Sequence, residues 1–151
     1  MALSSFLAAT KSSGLQFTIL EMDASTHTAQ QAADAIECSV GAIVKSLLFA
    51  VGDEFALVLA SGASRVDPSL VEVVVGHQVL LADAQAVKRV TGYSIGGVPP
   101  LGHPTKLLTI MDSTLLEFSQ VWAAAGSSRA VFPIEPGLLA KLTAAKLARV
   151  N

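Results

Sequence analysis

One lysine stands in a run of apolar residues, where it could place a positive charge in a cleft. Lys45 follows Ala42-Ile43-Val44 and precedes Ser46-Leu47-Leu48. An ammonium group buried without a partner is too costly to keep, so this side chain either extends toward water or serves a cleft. In a cleft it would hold a phosphate, a carboxylate or a developing oxyanion, with the Ser46 hydroxyl nearby.

A loop rich in glycine and proline is the second candidate for chemistry. Residues 92–103 hold four of the eleven glycines and two of the six prolines of the chain. Glycine lets backbone N–H groups approach a ligand closely, whereas consecutive prolines stiffen the backbone and lack an N–H donor. The segment therefore predicts a rigid binding loop, whose candidate contacts are Tyr93, Gly96, Gly97, Val98, Pro99, Pro100 and His103.

Two side chains of this loop have both a functional and a structural interpretation. His103 either acts as a base or binds a polar substrate atom, or it is an ordinary surface histidine. Tyr93, the only tyrosine, either stacks on a nucleobase or wedges the loop against the core, and the wedge is favoured. Trp122 lies in an apolar run, which favours core packing.

The residue inventory argues against several classes of site. No glycine-rich loop is followed by Lys-Ser or Lys-Thr, and Gly92-x-x-x-Gly96-Gly97 does not match the dinucleotide fingerprint. One cysteine and three scattered histidines predict no metal centre, and no cofactor is expected. A net charge of −2 with one tryptophan and one tyrosine argues against DNA binding, so any RNA partner is expected to be contacted locally.

Length and composition predict one domain over residues 1–151. Hydrophobic residues make up 52% of the chain and charged residues 15%, enough for a substantial core. The lone Cys38 permits no internal disulfide, and the N-terminus lacks the features of a secretory signal. Charged residues interrupt the apolar stretch from Ile43 to Leu59 short of the ~20 residues that cross a bilayer. We therefore expect a cytoplasmic protein without a membrane span.

Local patterns predict an α+β framework for these candidates. Thr28 and Gln31 form a capping box before a helix over 29–37, and Gly52-Asp53 joins the β-rich runs 44–51 and 54–61 into a hairpin. Asp83 is expected to cap a helix that ends at Gly92, where the loop begins. Strand runs come in pairs with helices between them, which favours a mixed, largely antiparallel sheet.

The remaining pattern predicts further elements along the chain. They are helices over 2–13, 69–75 and from Glu135-Pro136 onward, strands over 16–21, 78–81, 106–111, 121–124 and 130–134, and a helical turn over 113–118. Asp112 is interpreted either as the cap of that turn or as a partner that orients a cationic side chain.

Three segments together resemble the YbaK/prolyl-tRNA synthetase-associated domain family. They are residues 44–48, residues 91–102, and Val121-Trp122 followed by Gly126. The similarity runs in the same order from Phe17 to the last helix, across nearly the whole chain. The family consists of free-standing relatives of the editing insertion of bacterial prolyl-tRNA synthetase, so the resemblance implies an open-barrel-like mixed sheet flanked by helices.

The resemblance also implies an activity, which is hydrolysis in trans of the ester that links a wrong amino acid to the 3′ end of a tRNA. The lysine of the family corresponds to Lys45, and its Gly-x-x-x-Pro loop corresponds to residues 96–100. Backbone N–H groups of Gly96, Gly97 or Val98 would hold the oxyanion, and Lys45 would anchor the terminal phosphate or the amino acid end. The expected substrate contacts are Ser46, Tyr93, Pro99, Pro100, His103 and Gly126.

Substrate and partner stay open at this level. Relatives that resemble cysteinyl-tRNA deacylases have a tyrosine where Leu20 stands and an acidic residue where Val131 stands, so pockets for alanine, serine or threonine fit equally well. A non-catalytic module that binds tRNA ends, nucleotides or a synthetase is the alternative to a hydrolase. Recruitment by an aminoacyl-tRNA synthetase is also left open.

Overall fold

The computed structural model describes residues 2–22 and 28–151, and these residues form five α-helices and eight β-strands. The helices are α1 (Ala2–Ser12), α2 (Ala29–Ile36), α3 (Pro68–Val75), α4 (Ala84–Thr91) and α5 (Pro136–Thr143). The strands are β1 (Leu20–Glu21), β2 (Val44–Val51), β3 (Glu54–Ser61), β4 (Val79–Leu81), β5 (Leu108–Asp112), β6 (Val121–Ser127), β7 (Ala130–Ile134) and β8 (Lys146–Ala148). Short 3₁₀ turns lie at Val40–Ala42 and Ser113–Glu117.

The strands build two sheets, which do not close into a barrel. The larger sheet has the order β4-β2-β3-β5-β8, and the smaller sheet has the order β1-β7-β6. β2 and β3 pair antiparallel along their full length, as the Gly52-Asp53 turn predicted. β5 pairs parallel to β3, and β8 pairs parallel to β5. The α+β fold with a mixed sheet is therefore confirmed.

Capping side chains fix the two helices that flank the candidate site. At the start of α2, Thr28 Oγ1 accepts from Gln31 N at 3.1 Å, and Gln31 Oε1 accepts from Thr28 N at 3.2 Å. At the start of α4, the Asp83 carboxylate accepts from Ala86 N at 2.8 Å. Gly92 ends α4 with a φ of +82°, a left-handed conformation that glycine adopts without strain. The glycine/proline loop therefore begins at a position that the end of α4 holds fixed.

The two faces of β2 belong to different parts of the core. Val44 and Leu48 pack with Phe6 and Phe132 in the main core, where these two rings stack at 5.2 Å. Phe49 packs in a second cluster on the other face. Because alternate residues of a strand point to opposite faces, Ser46 falls on the main-core face and Lys45 on the other.

Several predicted elements have different bounds in the structure, and three of the differences involve strand pairing. The strand predicted over 16–21 is restricted to Leu20–Glu21, the only two of its residues that pair with β7. β5 begins at Leu108 rather than at residue 106. The final helix ends at Thr143, and the chain then forms β8 along the edge of β5. The bounds of β1, β5 and β8 are set by pairing with strands distant in sequence, which local patterns do not encode.

Candidate functional site

A cavity of about 350 Å³ borders β2, and we call it the edge cavity. Its wall includes five consecutive residues of that strand, 44–48. Since successive side chains alternate between faces, five consecutive lining residues mean that the cavity runs along the edge of the strand. Gly96 and Val98 of the glycine/proline loop line the same cavity. The structure therefore brings Lys45, Ser46 and this loop together.

The edge of β2 is open at Ser46 because β4 is short. β4 pairs with β2 only over residues 49–51, and Ala82 N then donates to Leu48 O at 2.9 Å. In an antiparallel ladder, every second residue directs its backbone N–H and C=O to the same side. Ser46 therefore directs both groups to the side where β4 has ended. No ladder partner pairs with it there in the described chain, and the open stretch is bounded at the start of β2 by the bridge between Ile43 and Trp122. A donor and an acceptor face the edge cavity.

The hydroxyl of Ser46 differs from its backbone. Ser46 Oγ is buried, and no group of the described residues forms a hydrogen bond with it. The residue as a whole is half-buried, so its accessible part belongs to the strand backbone and Cβ rather than to the hydroxyl. Ser46 thus contributes to the cavity wall chiefly through its main chain.

Lys45 is half-buried at the beginning of β2, and its ammonium group donates to Ser64 O at 2.6 Å. Burial lowers the pKa of Lys45, and the nearby Arg65 guanidinium lowers it further. The Asp112 carboxylate acts in the opposite direction and raises the pKa. Two cationic side chains therefore lie at this end of the strand, where an anionic group of a ligand would be attracted.

Asp112 is the cap that one of the two interpretations of its sequence position predicted. It caps the 3₁₀ turn, since Oδ1 accepts from Thr114 N at 3.0 Å and from Thr114 Oγ1 at 2.8 Å. Oδ2 accepts from Asn151 Nδ2 at 2.8 Å. The fully buried side chain is thus held by several donors while its charge acts on Lys45. Asp112 therefore supplies a negative charge that is fixed in position and acts on Lys45.

Gly97 attaches the loop to the turn between β6 and β7. A Cβ at Gly97 would lie 2.8 Å from Ser127 Cα and 2.9 Å from Gly126 O, closer than real Cβ contacts. Only glycine therefore permits this approach. Gly97 N donates to Ser94 O at 3.0 Å, and Gly97 does not line the edge cavity. Gly126, a predicted substrate contact, packs against Gly97 and likewise does not line the edge cavity.

Tyr93 and His103 lie away from the edge cavity. Tyr93 is only 3% exposed, and its hydroxyl donates to Gly102 O at 3.2 Å, which is the wedge arrangement rather than a stacking platform. His103 Nε2 lies 2.7 Å from Pro99 O, so this nitrogen carries the proton because a carbonyl can only accept. Burial lowers the pKa of His103, and the bond to Pro99 O raises it.

A second cavity, of about 520 Å³, lies along the other part of the loop, and we call it the α1–α5 cavity. Pro100, His103 and Lys106 line it together with residues of α1 and α5. Pro99 is buried and lines neither cavity. The predicted site residues are therefore divided, and only Lys45, Ser46, Gly96 and Val98 line the edge cavity.

Several residues of the edge cavity were not predicted from the sequence. They include Thr28, the N-cap of α2, and Ala29 and Ala32 of that helix, and the capping box was the only sequence signal for the helix start. Trp122, expected in the core, is half-buried, packs beside α2 and also lines the cavity. Val131 lines it as well and pairs directly with Leu20. Leu20 and Val131, the two residues that differ from the pattern of cysteinyl-tRNA deacylases, are thus neighbours in one sheet.

Metal and thiol chemistry find little support among the described residues. No three His, Cys, Asp or Glu side chains of these residues lie close enough together to hold a metal ion. Burial raises the pKa of the Cys38 thiol, which disfavours the nucleophilic thiolate.

No helix within residues 2–22 and 28–151 is both long and apolar enough to cross a membrane.

Comparison with known proteins now defines the family. Residues 23–142 match the aminoacyl-tRNA editing domain, and the chain belongs to that family, as its residues predicted. YwhH of Bacillus subtilis (strain 168), itself uncharacterized, is 30% identical over 130 residues that cover 85% of this chain and 83% of YwhH.

Two solved structures extend this likeness to the whole fold. A proposed trans-editing enzyme for prolyl-tRNA synthetase is 38% identical with a TM-score of 0.95, covering 99% of this chain and 96% of that one. The hypothetical protein APE2540 is 30% identical with a TM-score of 0.88, covering 97% of this chain and 98% of its own. The chain therefore has the complete fold of these relatives.

Proposed function

We propose that this protein hydrolyses, in trans, the ester bond between a small amino acid and the 3′ end of a mischarged tRNA. The observation that carries the proposal is the edge cavity, in which Lys45, the open edge of β2 and the glycine/proline loop meet in a member of an aminoacyl-tRNA editing family. The proposal includes a cytoplasmic location, where the tRNA substrate is available.

The chemistry that the cavity must supply is modest, because an aminoacyl ester is already activated. The site needs to position a water molecule and to stabilise the oxyanion that forms when the water attacks. Gly96 N–H and Val98 N–H, on residues of the cavity wall, are the proposed donors. Gly97 N–H is left out because Ser94 O already accepts it.

The proton of the attacking water is proposed to pass to the substrate. No carboxylate or imidazole group belongs to the described part of the cavity wall, whereas the substrate brings a ribose hydroxyl and an α-amino group. Either the neutral α-amino group takes the proton and returns it to the departing 3′ oxygen, or the ribose hydroxyl passes its own proton to that oxygen while it receives one from the water. The proposed reaction therefore uses no metal ion and no covalent intermediate on the protein.

Lys45 is proposed to bind the terminal phosphate of the tRNA. An ammonium group has three donors, and two remain after the bond to Ser64 O. Arg65 adds a second positive charge nearby, and Asp112 holds the opposite charge behind the lysine. Lys45 would thus orient the ribose ester in the cavity rather than react with it.

The size and lining of the cavity favour a small amino acid. About 350 Å³ must hold the aminoacyl group and much of the ribose, and Val44, Leu48, Val87 and Val98 give the wall its apolar character. Apolar contact discriminates by only ~1–3 kcal/mol per methylene. We therefore propose a class of small side chains, such as alanine, serine and threonine, rather than a single amino acid.

A panel of mischarged tRNAs tests the activity. Purified protein is incubated with tRNAs carrying alanine, serine, threonine or cysteine, and release of free amino acid is compared with spontaneous hydrolysis. We expect faster release for at least one small amino acid and a loss of about 10²-fold in Lys45→Met, the size of effect that a displacement of about 1 Å in a bound substrate can produce.

The matched control is Lys106→Met, which removes a lysine from the α1–α5 cavity and should keep the wild-type rate. Thermal unfolding of both variants verifies that they fold. Binding of tRNA with release at the spontaneous rate for every tRNA would contradict the proposed hydrolysis and favour the binding module.

A further inference from the structure

We infer that the aminoacyl group of the substrate binds as one additional strand residue on the open edge of β2, opposite Ser46. In this arrangement the α-amino group donates to Ser46 O, and the ester carbonyl accepts from Ser46 N–H. The inference rests on the proposed function, because it names how the same cavity recognises its substrate.

The register of β4 defines the vacant position. Ala82 N donates to Leu48 O at 2.9 Å, so the next hydrogen-bonded position along the β2 edge is Ser46. β4 does not reach it, because Asp83 caps α4 and Ala84 already belongs to that helix. The edge cavity occupies the place where a longer β4 would have paired.

The chemistry of an aminoacyl ester matches that position. Like a residue in a strand, it has a nitrogen donor and a carbonyl acceptor on either side of one Cα. A hydrogen-bonded antiparallel pair exchanges both bonds between two such residues, and an open strand edge is a ready template for this exchange. The second lone pair of the carbonyl oxygen stays available for a loop N–H such as that of Val98.

The antiparallel direction also orients the rest of the substrate. A ligand that continues the direction of β4 runs from its amino group on the Leu48 side of Ser46 toward its ester oxygen beside Lys45, and it ends before the bridge between Ile43 and Trp122. The ribose and the phosphate then lie toward the beginning of β2, where Lys45 and Arg65 carry positive charge. The strand register and the charge distribution thus favour the same orientation.

The pairing further predicts stereochemistry. Paired residues of neighbouring strands direct their side chains to the same face of the sheet. The side chain of an L-amino acid would therefore follow that of Ser46, toward the face on which Val44 and Leu48 pack with Val87 and Val98. A D-amino acid would direct its side chain to the face that carries Lys45 and Leu47.

Stable amide analogues test this inference without hydrolysis. 3′-Amino-3′-deoxyadenosine is acylated with L-alanine, D-alanine or propionic acid, the last of which lacks the α-amino group. Calorimetry on the wild-type protein should give about tenfold weaker binding for the D-alanyl and propionyl amides, the effect expected for losing one hydrogen bond or its geometry.

Two variants locate the effect in the backbone of residue 46. Ser46→Ala should keep the preference for L-alanyl, since it changes only the buried hydroxyl. Ser46→Pro removes the N–H that faces the open edge, a position where a strand tolerates proline, and should weaken L-alanyl binding in protein that unfolds cooperatively. If this variant does not fold, the binding of the three amides to the wild-type protein is sufficient to test the inference.

The outcomes separate this inference from the proposed function. Equal binding of the three amides would overturn the inference, and hydrolysis of mischarged tRNA would then still support the function. A preference for the L-alanyl amide supports the inference, and if no mischarged tRNA is hydrolysed, it is the proposed hydrolysis that fails.

Discussion

The edge cavity and the α1–α5 cavity lie on two parts of the same loop, yet their walls differ in hydrogen bonding. In the α1–α5 cavity, His103 Nε2 pairs with Pro99 O at 2.7 Å and Thr143 Oγ1 donates to Leu139 O at 2.8 Å. In the edge cavity, the backbone of Ser46 has no ladder partner on the open side in the described chain. The edge cavity is the smaller one, at about 350 Å³ against 520 Å³. The backbone N–H and C=O of Ser46, which lack a ladder partner on the open side, therefore indicate the edge cavity as the site, although it is the smaller of the two cavities.

Among the variants that distinguish the two cavities, Gly97→Ala should have the largest effect on deacylation. The added Cβ would lie 2.8 Å from Ser127 Cα, so the loop must move away from the β6–β7 turn and take Gly96 and Val98 with it. A displacement of about 1 Å in a catalytic group can cost 10²-fold in rate. We expect a loss of about this size in deacylation, measured under single-turnover conditions.

Gly137→Ala is the matched control for this prediction. Gly137 lies in the first turn of α5, and the nearest atom to its added Cβ is the end of the flexible Glu135 side chain at 3.1 Å. This variant should keep full activity. Equal rates for Gly97→Ala and wild type would show that the position of the loop does not matter for the reaction.

A pair of hydroxyl deletions sharpens the comparison between satisfied and unsatisfied buried groups. Thr91 Oγ1 donates to Val87 O at 2.7 Å and accepts from Tyr93 N at 3.1 Å. Thr91→Val should therefore lower the free energy of unfolding by about 2 kcal/mol, because Tyr93 N–H is left without its acceptor. Urea denaturation measures the change.

Ser46→Ala should have the opposite sign. It removes a buried hydroxyl that has no hydrogen-bond partner among the described residues, and should raise the free energy of unfolding by about 1 kcal/mol. Deacylation should persist, since the backbone of residue 46 is unchanged. A destabilised Ser46→Ala protein would indicate that the hydroxyl makes a bond in solution.

The smallest expected effect concerns His103, in the α1–α5 cavity. Burial lowers its pKa in the folded protein, so below the ordinary pKa of histidine the unfolded chain binds the proton more readily. The free energy of unfolding should therefore fall as the pH drops from 7 to 5. His103→Gln keeps a donor for Pro99 O and should fall less over the same interval, with deacylation at pH 7 unchanged. Parallel losses in both proteins would contradict this account of His103.

Elements specified by neighbouring residues could be predicted from the sequence. The capping box at Thr28, the turn at Gly52-Asp53 and the glycine that ends α4 depend on residues within about four positions of one another, and all three are confirmed. The meeting of Lys45 with the loop followed from family resemblance rather than from local pattern. No spacing rule indicates that residues 45 and 96 share a cavity.

Features that depend on distant pairing could not be predicted. β8 is a strand because the edge of β5 is available to Lys146–Ala148, and the sequence there lacks a strong strand pattern. The open edge at Ser46 exists because β4 ends at Leu81 and Ala82 makes the last bond. The bond from Gly97 N to Ser94 O likewise depends on the local path of the loop. These details decide which backbone groups can contact a ligand.

The most direct test of the site is to map where the substrate end binds. Backbone amide resonances of ¹⁵N-labelled protein are followed while the L-alanyl amide of 3′-amino-3′-deoxyadenosine is added. The account predicts that the largest shifts occur at Ser46, Gly96 and Val98, with little change from Gly102 to Leu107. Shifts that centre on residues 102–107, with those of the β2 edge unchanged, would contradict it.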